Sequence, residues 1–155
     1  MSKDGKTSFK NKRNKWITST ASRNDAQHYR AISDLIITGS GTLMHDNPSL
    51  NVRNNKIIKT KGFNQPHKAV LINSSNDLSG MKFFQDKTKK IIFTTQGKKF
   101  DGLKKMSNTE ISFLKEKGLK VDLKDLASHL NKSNYQDILI AVSYTHLRAH
   151  ETQPY

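Results

Sequence analysis

The chain has 155 residues, of which 34% are hydrophobic, and it carries 27 Lys and Arg against 13 Asp and Glu, for a formal net charge of +14. This predicts a single globular domain with a modest core, excludes wholesale disorder, and indicates a negatively charged partner. The absence of cysteine excludes a disulfide scaffold, a thiolate nucleophile and any zinc site built on sulfur, so redox chemistry requires a bound cofactor.

The N-terminal part of the chain predicts one helix. After a lysine-rich start, residues 16–18 form a short β-prone stretch. Helix-start signals follow at Thr20, Ser22 and Asp25, and the helix is expected to run to about Ile32. Its buried side is expected to consist of four apolar residues: Ala26, Tyr29, Ala31 and Ile32.

The next segment predicts a strand, a glycine turn and a short helix. Residues 33–38 form a compact apolar run typical of a central strand, and Gly39-Ser40-Gly41-Thr42 follows it directly. A short helix from Thr42 should stop at the Asp46-Asn47-Pro48 turn. Residues 50–53 alternate like an edge strand, and residues 54–65 are polar enough to predict a mobile loop.

Three more apolar runs predict central strands, at residues 68–73, 90–95 and 137–140. A shorter strand is expected at residues 119–121, and Asp122 can cap a helix that carries Leu123, Leu126, Ala127 and Leu130 at helical spacing. Strands that alternate with helices indicate an α/β fold with a mainly parallel sheet and helices on both faces.

Residues 141–155 show neither strand alternation nor a helical stripe, and they differ in composition from the Lys- and Asn-rich body. Residues 142–152 resemble a translated sequencing adapter. We therefore expect a partial domain at residues 1–140, with a sheet incomplete at its C-terminus, and a non-native tail at residues 141–155. The pair His146 and His150 has helical metal-ligand spacing but falls in this tail, so we expect no metal site there.

Two constellations have both a functional and a structural interpretation. Gly39-x-Gly41-Thr42 after a strand allows backbone N–H groups to approach an anion, and it also fits an ordinary turn. Asp46, followed seven residues later by Arg53, could orient a polar ligand while the arginine binds phosphate, or could be a helix stop and a solvated cation. Arg30 is likewise a helix-end cation or a second phosphate ligand, and Trp16 is a core residue or a ligand platform.

The positive charge leaves a nucleic-acid-binding module open as an alternative function. Only five of the 27 cations are arginine, and the rest are lysine. The lysine-rich stretch at residues 10–15 has no interleaved aromatic residues, so base stacking is missing and nucleic acid is not the expected partner. The few arginines are the cations best suited to planar recognition of phosphate.

Taken in order, several motifs resemble the riboflavin-biosynthesis reductase family, which is the C-terminal domain of a bifunctional deaminase-reductase with a dihydrofolate-reductase-like α/β fold. They are Asp4-Gly5-Lys6-Thr7, Lys15-Trp16-Ile17-Thr18-Ser19, Arg30-Ala31, Gly39-x-Gly41-Thr42 and Asp46-x-Pro48-x-Leu50-x-Val52-Arg53. The similarity is dense over residues 1–53 and looser through residues 65–74 to residue 140. A different dihydrofolate-reductase-like pyrimidine or pteridine reductase is the nearer alternative.

The resemblance implies NADPH-dependent reduction of a phosphorylated ribosylaminopyrimidine, 5-amino-6-(5-phosphoribosylamino)uracil, to its ribityl form, without a covalent catalytic residue. By position, the cofactor side comprises Met1, Trp16, Thr42, Asp46 and Ser74. The substrate side comprises Asn14, Arg30, Leu50 and Arg53. The family is often dimeric, so we expect a homodimer of the complete protein. Here Ala141-Val142-Ser143 stands where the family continues with an acidic residue and a glycine-rich turn, so that part of the site is expected to be absent.

Overall fold

The structure is a computed structural model that describes residues 19–73, 78, 80–96 and 108–142. The expected α/β architecture is confirmed: five parallel strands form one sheet, in the order β4-β3-β2-β1-β7. These strands are β1 (Leu35–Gly39), β2 (His67–Leu71), β3 (Lys90–Thr94), β4 (Thr109–Phe113) and β7 (Ile138–Ile140). A two-stranded antiparallel hairpin joins β5 (Glu116–Lys117) to β6 (Lys120–Val121).

The helices are α1 (Thr20–Ile32), α2 (Ser40–Asp46), α3 (Asn55–Ile58) and α4 (Leu123–Asn131), and Lys82–Phe84 form one 3₁₀ turn. The Ser19 hydroxyl caps α1 by accepting a hydrogen bond from the Ser22 backbone N–H at 3.1 Å. Asp122 caps α4 as expected, because its carboxylate accepts a hydrogen bond from the Lys124 N–H at 2.9 Å. None of these helices is long and apolar enough to cross a membrane.

The strand alternation creates one core on each face of the sheet. Ile36, Val70 and Ile92 point to the face covered by Leu43 of α2 and by Phe83 of the 3₁₀ turn. On the other face, the second core consists mainly of residues from β1, β2, β3 and α4: Leu35, Ile37, Ala69, Ile91, Phe93 and Leu126. Because helices cover both faces, the central strands are apolar in continuous runs, which makes them easy to recognise along the chain.

The order of the strands creates a switch point. The chain moves outward from β1 through β2 and β3 to β4, and then returns to place β7 on the opposite side of β1. Ala141 continues this pairing, since its N–H donates to the Ile37 carbonyl at 2.8 Å and its carbonyl accepts from the Thr38 hydroxyl at 2.7 Å. In open parallel sheets, ligands bind beyond the carboxyl ends of the strands at such a switch point.

Three local predictions are wrong, and one strand was missed. The expected buried side of α1 is largely exposed, with Tyr29 59% and Ile32 53% accessible. Residues 50–53 form no strand, residues 54–65 include helix α3 instead of an uninterrupted loop, and β4 was not predicted. Two of these differences have a clear cause: α1 packs through polar side chains, and β4 is an edge strand whose residues are mostly half-buried or exposed and therefore less apolar.

Candidate functional site

The site is built around residues 49–53, a segment outside the helices and strands, which we call the anion segment. Helix α1 contacts it through two partly buried polar residues, Gln27 and Arg30, which lie three apart on one side of the helix. The Gln27 side-chain oxygen accepts a hydrogen bond from the Arg53 N–H at 2.5 Å. Arg30 donates to the Asn51 carbonyl at 3.4 Å. The helix therefore binds the segment by hydrogen bonds where an apolar face was expected.

Gln65 takes the place of a neighbouring strand for the middle of the anion segment. Its amide oxygen accepts from the Val52 N–H at 2.8 Å, and its amide nitrogen donates to the Val52 carbonyl at 2.9 Å. Val52 is only 1% exposed, so its backbone groups need these partners. The alternation at residues 50–53 thus reflects one buried side, although the hydrogen bonds come from a side chain.

Leu50 holds an unusual backbone conformation in this segment, with a φ of 57°. A left-handed conformation costs a residue with a side chain about 1–2 kcal/mol, so the surrounding contacts must hold it. The Leu50 side chain is 4% exposed and packs in the core beside Leu43 and Ile36. A ligand that meets Leu50 would therefore contact its backbone.

The predicted residues Arg30 and Arg53 lie close enough for their charges to interact. Burial lowers the pKa of Arg30, and the nearby charge of Arg53 lowers it further. Among the residues that the structure describes, neither guanidinium forms an ion pair with a carboxylate. Two neighbouring cations without an acidic partner form a place that favours an anion, and guanidinium groups match the geometry of a phosphate.

The two described residues predicted for the cofactor side lie on α2. Thr42 is buried in the first turn, next to the carboxyl end of β1, and Asp46 is exposed at the last residue of the helix. Residues four apart face the same side of a helix. The structure thus places Thr42 at the carboxyl edge of the sheet, while the anion segment is anchored to Lys68 near the amino end of β2. The predicted residues Met1, Asn14, Trp16 and Ser74 lie outside the described residues.

Gly39 precedes α2 with an ordinary φ of −95°. A Cβ atom added there would meet nothing within 4 Å in the described structure. The fold therefore does not require glycine at this position, and the absence of a side chain leaves the end of β1 open to close approach by another molecule.

Thr95 is a polar residue at the carboxyl edge whose hydroxyl has no hydrogen-bond partner among the described residues. It directly follows β3 and is 1% exposed. Buried hydroxyl groups are nearly always hydrogen-bonded, so this one is available to a ligand or to water. The apolar run at residues 90–95 predicted a strand here, but nothing in that run indicated Thr95 as a site residue.

Sequence reasoning also missed Lys68. Its side chain is 1% exposed, and its ammonium donates to the Ser49 carbonyl, the Asn51 side-chain oxygen and the Phe83 carbonyl at 3.0, 2.9 and 3.0 Å. A fourth acceptor is the Asp86 carboxylate. In a chain with so many lysines, only the position of Lys68 inside an apolar run distinguishes it from the solvated ones.

Comparison with known proteins agrees with this fold. The chain is 35% identical over 146 residues to the riboflavin biosynthesis protein RibD of Buchnera aphidicola subsp. Baizongia pistaciae, a match that covers 88% of this chain and 38% of that protein. It is 40% identical over 75 residues to a 5-amino-6-(5-phosphoribosylamino)uracil reductase of Buchnera aphidicola subsp. Acyrthosiphon pisum, covering 44% of this chain and 36% of that protein. The chain thus spans less than two fifths of the length of these relatives.

Among solved structures, a crystal form of RibD from Acinetobacter baumannii superimposes with a TM-score of 0.72 at 27% identity, over 94% of this chain and 38% of that one. The sequence profile of the RibD C-terminal domain matches residues 1–148. The resemblance that the motifs indicated is therefore confirmed, and the chain belongs to the RibD C-terminal domain family.

Proposed function

We propose that this chain is the reductase domain of riboflavin biosynthesis, which reduces 5-amino-6-(5-phosphoribosylamino)uracil to its ribityl form with NADPH. The observation that carries this proposal is the pair Arg30 and Arg53, which meet at the anion segment without a carboxylate partner among the described residues. The substrate class comes from the name of the reductase relative. Membership of this family favours reduction over nucleic-acid binding as the use of the positive charge.

The two arginines suit the phosphate of such a substrate. A phosphate held by Arg30 and Arg53 would fix one end of the ribose relative to the anion segment. The partly buried Arg30 supplies a cation with reduced hydration, which strengthens its interaction with an anion.

The carboxyl edge of the sheet suits the cofactor. The open space at Gly39, the unpartnered hydroxyl of Thr95 and the hydroxyl of Thr42 all lie where strands β1 and β3 end. When bound, reduced nicotinamide supplies a hydride to the C1′ carbon of the ribose. The residues of this chain then have three tasks, which are to bind the two ligands, to orient them and to exclude water.

Binding of ribose 5-phosphate tests the anion site. A charge-assisted hydrogen bond contributes about 1.5–3 kcal/mol, so Arg53→Ala should raise the Kd for ribose 5-phosphate about 10- to 100-fold. Lys124→Ala on α4 is the matched control, because it removes one exposed positive charge from a different helix and should leave the Kd unchanged. Equal affinities of the two variants in isothermal titration calorimetry would refute the role of Arg53.

The cofactor side has a separate test. A Cβ atom added at Gly39 would meet no atom of the described residues within 4 Å, so Gly39→Ala should leave the unfolding transition unchanged while it weakens NADPH binding. A Cβ atom added at Gly80 is equally clear of the described part of the chain, so Gly80→Ala serves as the matched control, with unchanged affinity for NADPH. If both variants bind NADPH like the wild type, the cofactor does not approach the end of β1.

The expected homodimer is part of the same proposal. Tyr29 and Ile32 lie three residues apart on α1 and are both more than half exposed, so an apolar surface is available to a partner. Sedimentation equilibrium of the complete protein, compared with its Tyr29→Ser variant, tests whether this surface contributes. A wild type that remains monomeric at high protein concentration would contradict the proposal.

A further inference from the structure

Lys68 links three parts of the molecule through one buried ammonium. Its hydrogen bonds reach the anion segment at Ser49 and Asn51, the 3₁₀ turn at Phe83, and the carboxylate of Asp86. Burial lowers the pKa of Lys68, and the interaction with Asp86 acts in the opposite direction. Burial alone would raise the pKa of Asp86, but hydrogen bonds from Lys68, Thr88 and Lys90 outweigh it and hold the pKa well below its usual range. The four oxygen acceptors around the Lys68 amine fit an ammonium that faces the Asp86 carboxylate.

The Lys68 ammonium contacts the residues on both sides of Leu50, the residue with the left-handed backbone. Ser49 precedes Leu50 and Asn51 follows it, and each offers an oxygen to Lys68 at 3.0 and 2.9 Å. The carbonyl of the same Asn51 accepts from Arg30 at 3.4 Å. Lys68 and Arg30 thus bind two different oxygens of one residue, and Arg53 follows two residues later.

Lys90 is a second buried lysine, and its contacts differ from those of Lys68. It pairs with Lys68 in the register of β2 and β3, it is equally buried at 1% exposure, and it forms an ion pair with the same Asp86 at 3.0 Å. Its remaining hydrogen bonds go to the backbone carbonyls of Asp86 and Thr88, close to it in sequence. Of these two buried lysines, Lys68 alone contacts the anion segment.

We infer that Lys68 is a positioning residue for the anion site. By holding Leu50 of the anion segment in its left-handed conformation, Lys68 places Arg53 near Arg30. This inference rests on the proposed function, since it concerns how the phosphate of the substrate is bound. Lys68 itself is not the phosphate ligand, because its donors are already directed at four protein acceptors and Asp86 balances its charge.

The experiment measures the Kd for ribose 5-phosphate with the full chain by isothermal titration calorimetry, alongside urea unfolding of each variant. Lys68→Met should raise the Kd about tenfold. Lys90→Met, the matched control, should lower stability to a similar extent but leave the Kd within twofold of the wild type. Asn51→Ala removes one contact to the ammonium and leaves Asp86 paired. If Lys68→Met does not fold, this variant decides the question, and its Kd for ribose 5-phosphate should rise at least threefold.

A double variant separates positioning from general stabilisation. If Lys68 acts through Arg53, then Lys68→Met should change the Kd less than twofold in the Arg53→Ala background. Unchanged affinity in folded Lys68→Met or Asn51→Ala, or equal losses in Lys68→Met and Lys90→Met, would overturn the inference while the anion site stands. A wild-type chain that binds no ribose 5-phosphate would overturn the anion site and this inference together.

Discussion

The side chain of Gln65 offers a sharp test of how the anion segment is held. Gln65→Ala removes both hydrogen bonds to Val52, at 2.8 and 2.9 Å, and leaves a donor and an acceptor of a residue that is 1% exposed without their partners. A buried polar group left unsatisfied costs about 1–3 kcal/mol. Because Gln65 is itself only partly buried, water can reach part of the gap, and we expect a total loss of about 2–3 kcal/mol.

Urea unfolding followed by circular dichroism measures this loss directly. Asn64→Ala is the matched control, because Asn64 is exposed and its side chain reaches only the Gly62 carbonyl, at 3.4 Å. It should change the free energy of unfolding by no more than about 0.5 kcal/mol. Gln65→Glu keeps an acceptor for the Val52 N–H but loses the donor to the Val52 carbonyl, so it should also destabilise. A Gln65→Ala variant as stable as Asn64→Ala would refute the idea that this side chain replaces a strand.

Three further predictions concern residues that pack against the sheet or flank its strands. Phe83 is fully buried, so Phe83→Ala should cost about 3–5 kcal/mol in urea unfolding, whereas Phe113→Ala, at a side chain that is 51% exposed, should cost far less. Lys89→Ala breaks an exposed ion pair with Glu110 and should cost less than about 1 kcal/mol, with a smaller effect in high salt; a larger loss would contradict this. Asp34 accepts two backbone N–H groups just before β7, and these bonds lower its pKa. The stabilisation by the Asp34 carboxylate is therefore present above its unfolded-state pKa and is lost as the pH falls through the lowered folded-state pKa. The difference in the free energy of unfolding between the wild type and Asp34→Asn should accordingly shrink on acidification. A difference that does not change with pH would contradict this role of Asp34.

How far the sequence predicts the fold depends on where the stabilising contacts lie. Strands β1, β2 and β3 are buried on both faces, so their apolar runs are continuous and predict the strands to within about two residues. The edge strand β4 has one half-exposed side and carries no such run. Helix α1 is predicted over nearly its correct length because its start signals are local, yet its predicted orientation is wrong, since polar side chains make its tertiary contacts.

In the candidate site, too, the sequence predicts some residues and only tertiary contacts reveal the others. The sequence alone indicates Arg30 and Arg53 as phosphate ligands, because arginine is scarce in a lysine-rich chain and both residues fall in motifs of the family. Nothing local in the sequence shows that Lys68 holds the anion segment or that Gln65 completes its hydrogen bonds, since their partners lie 13–19 residues away.

By itself, then, the sequence determined the parallel α/β class, its central strands and the family to which the chain belongs. Buried strands produce continuous apolar runs, and the family motifs have a fixed spacing, so both can be recognised from neighbouring residues alone. Only the tertiary structure decided which charges are neutralised and which remain available. Asp86 balances Lys68, while Arg30 and Arg53 meet without a carboxylate among the described residues. The physical reason is that a charge acquires its role from the groups within a few ångströms of it, and in this fold those groups come from distant parts of the chain.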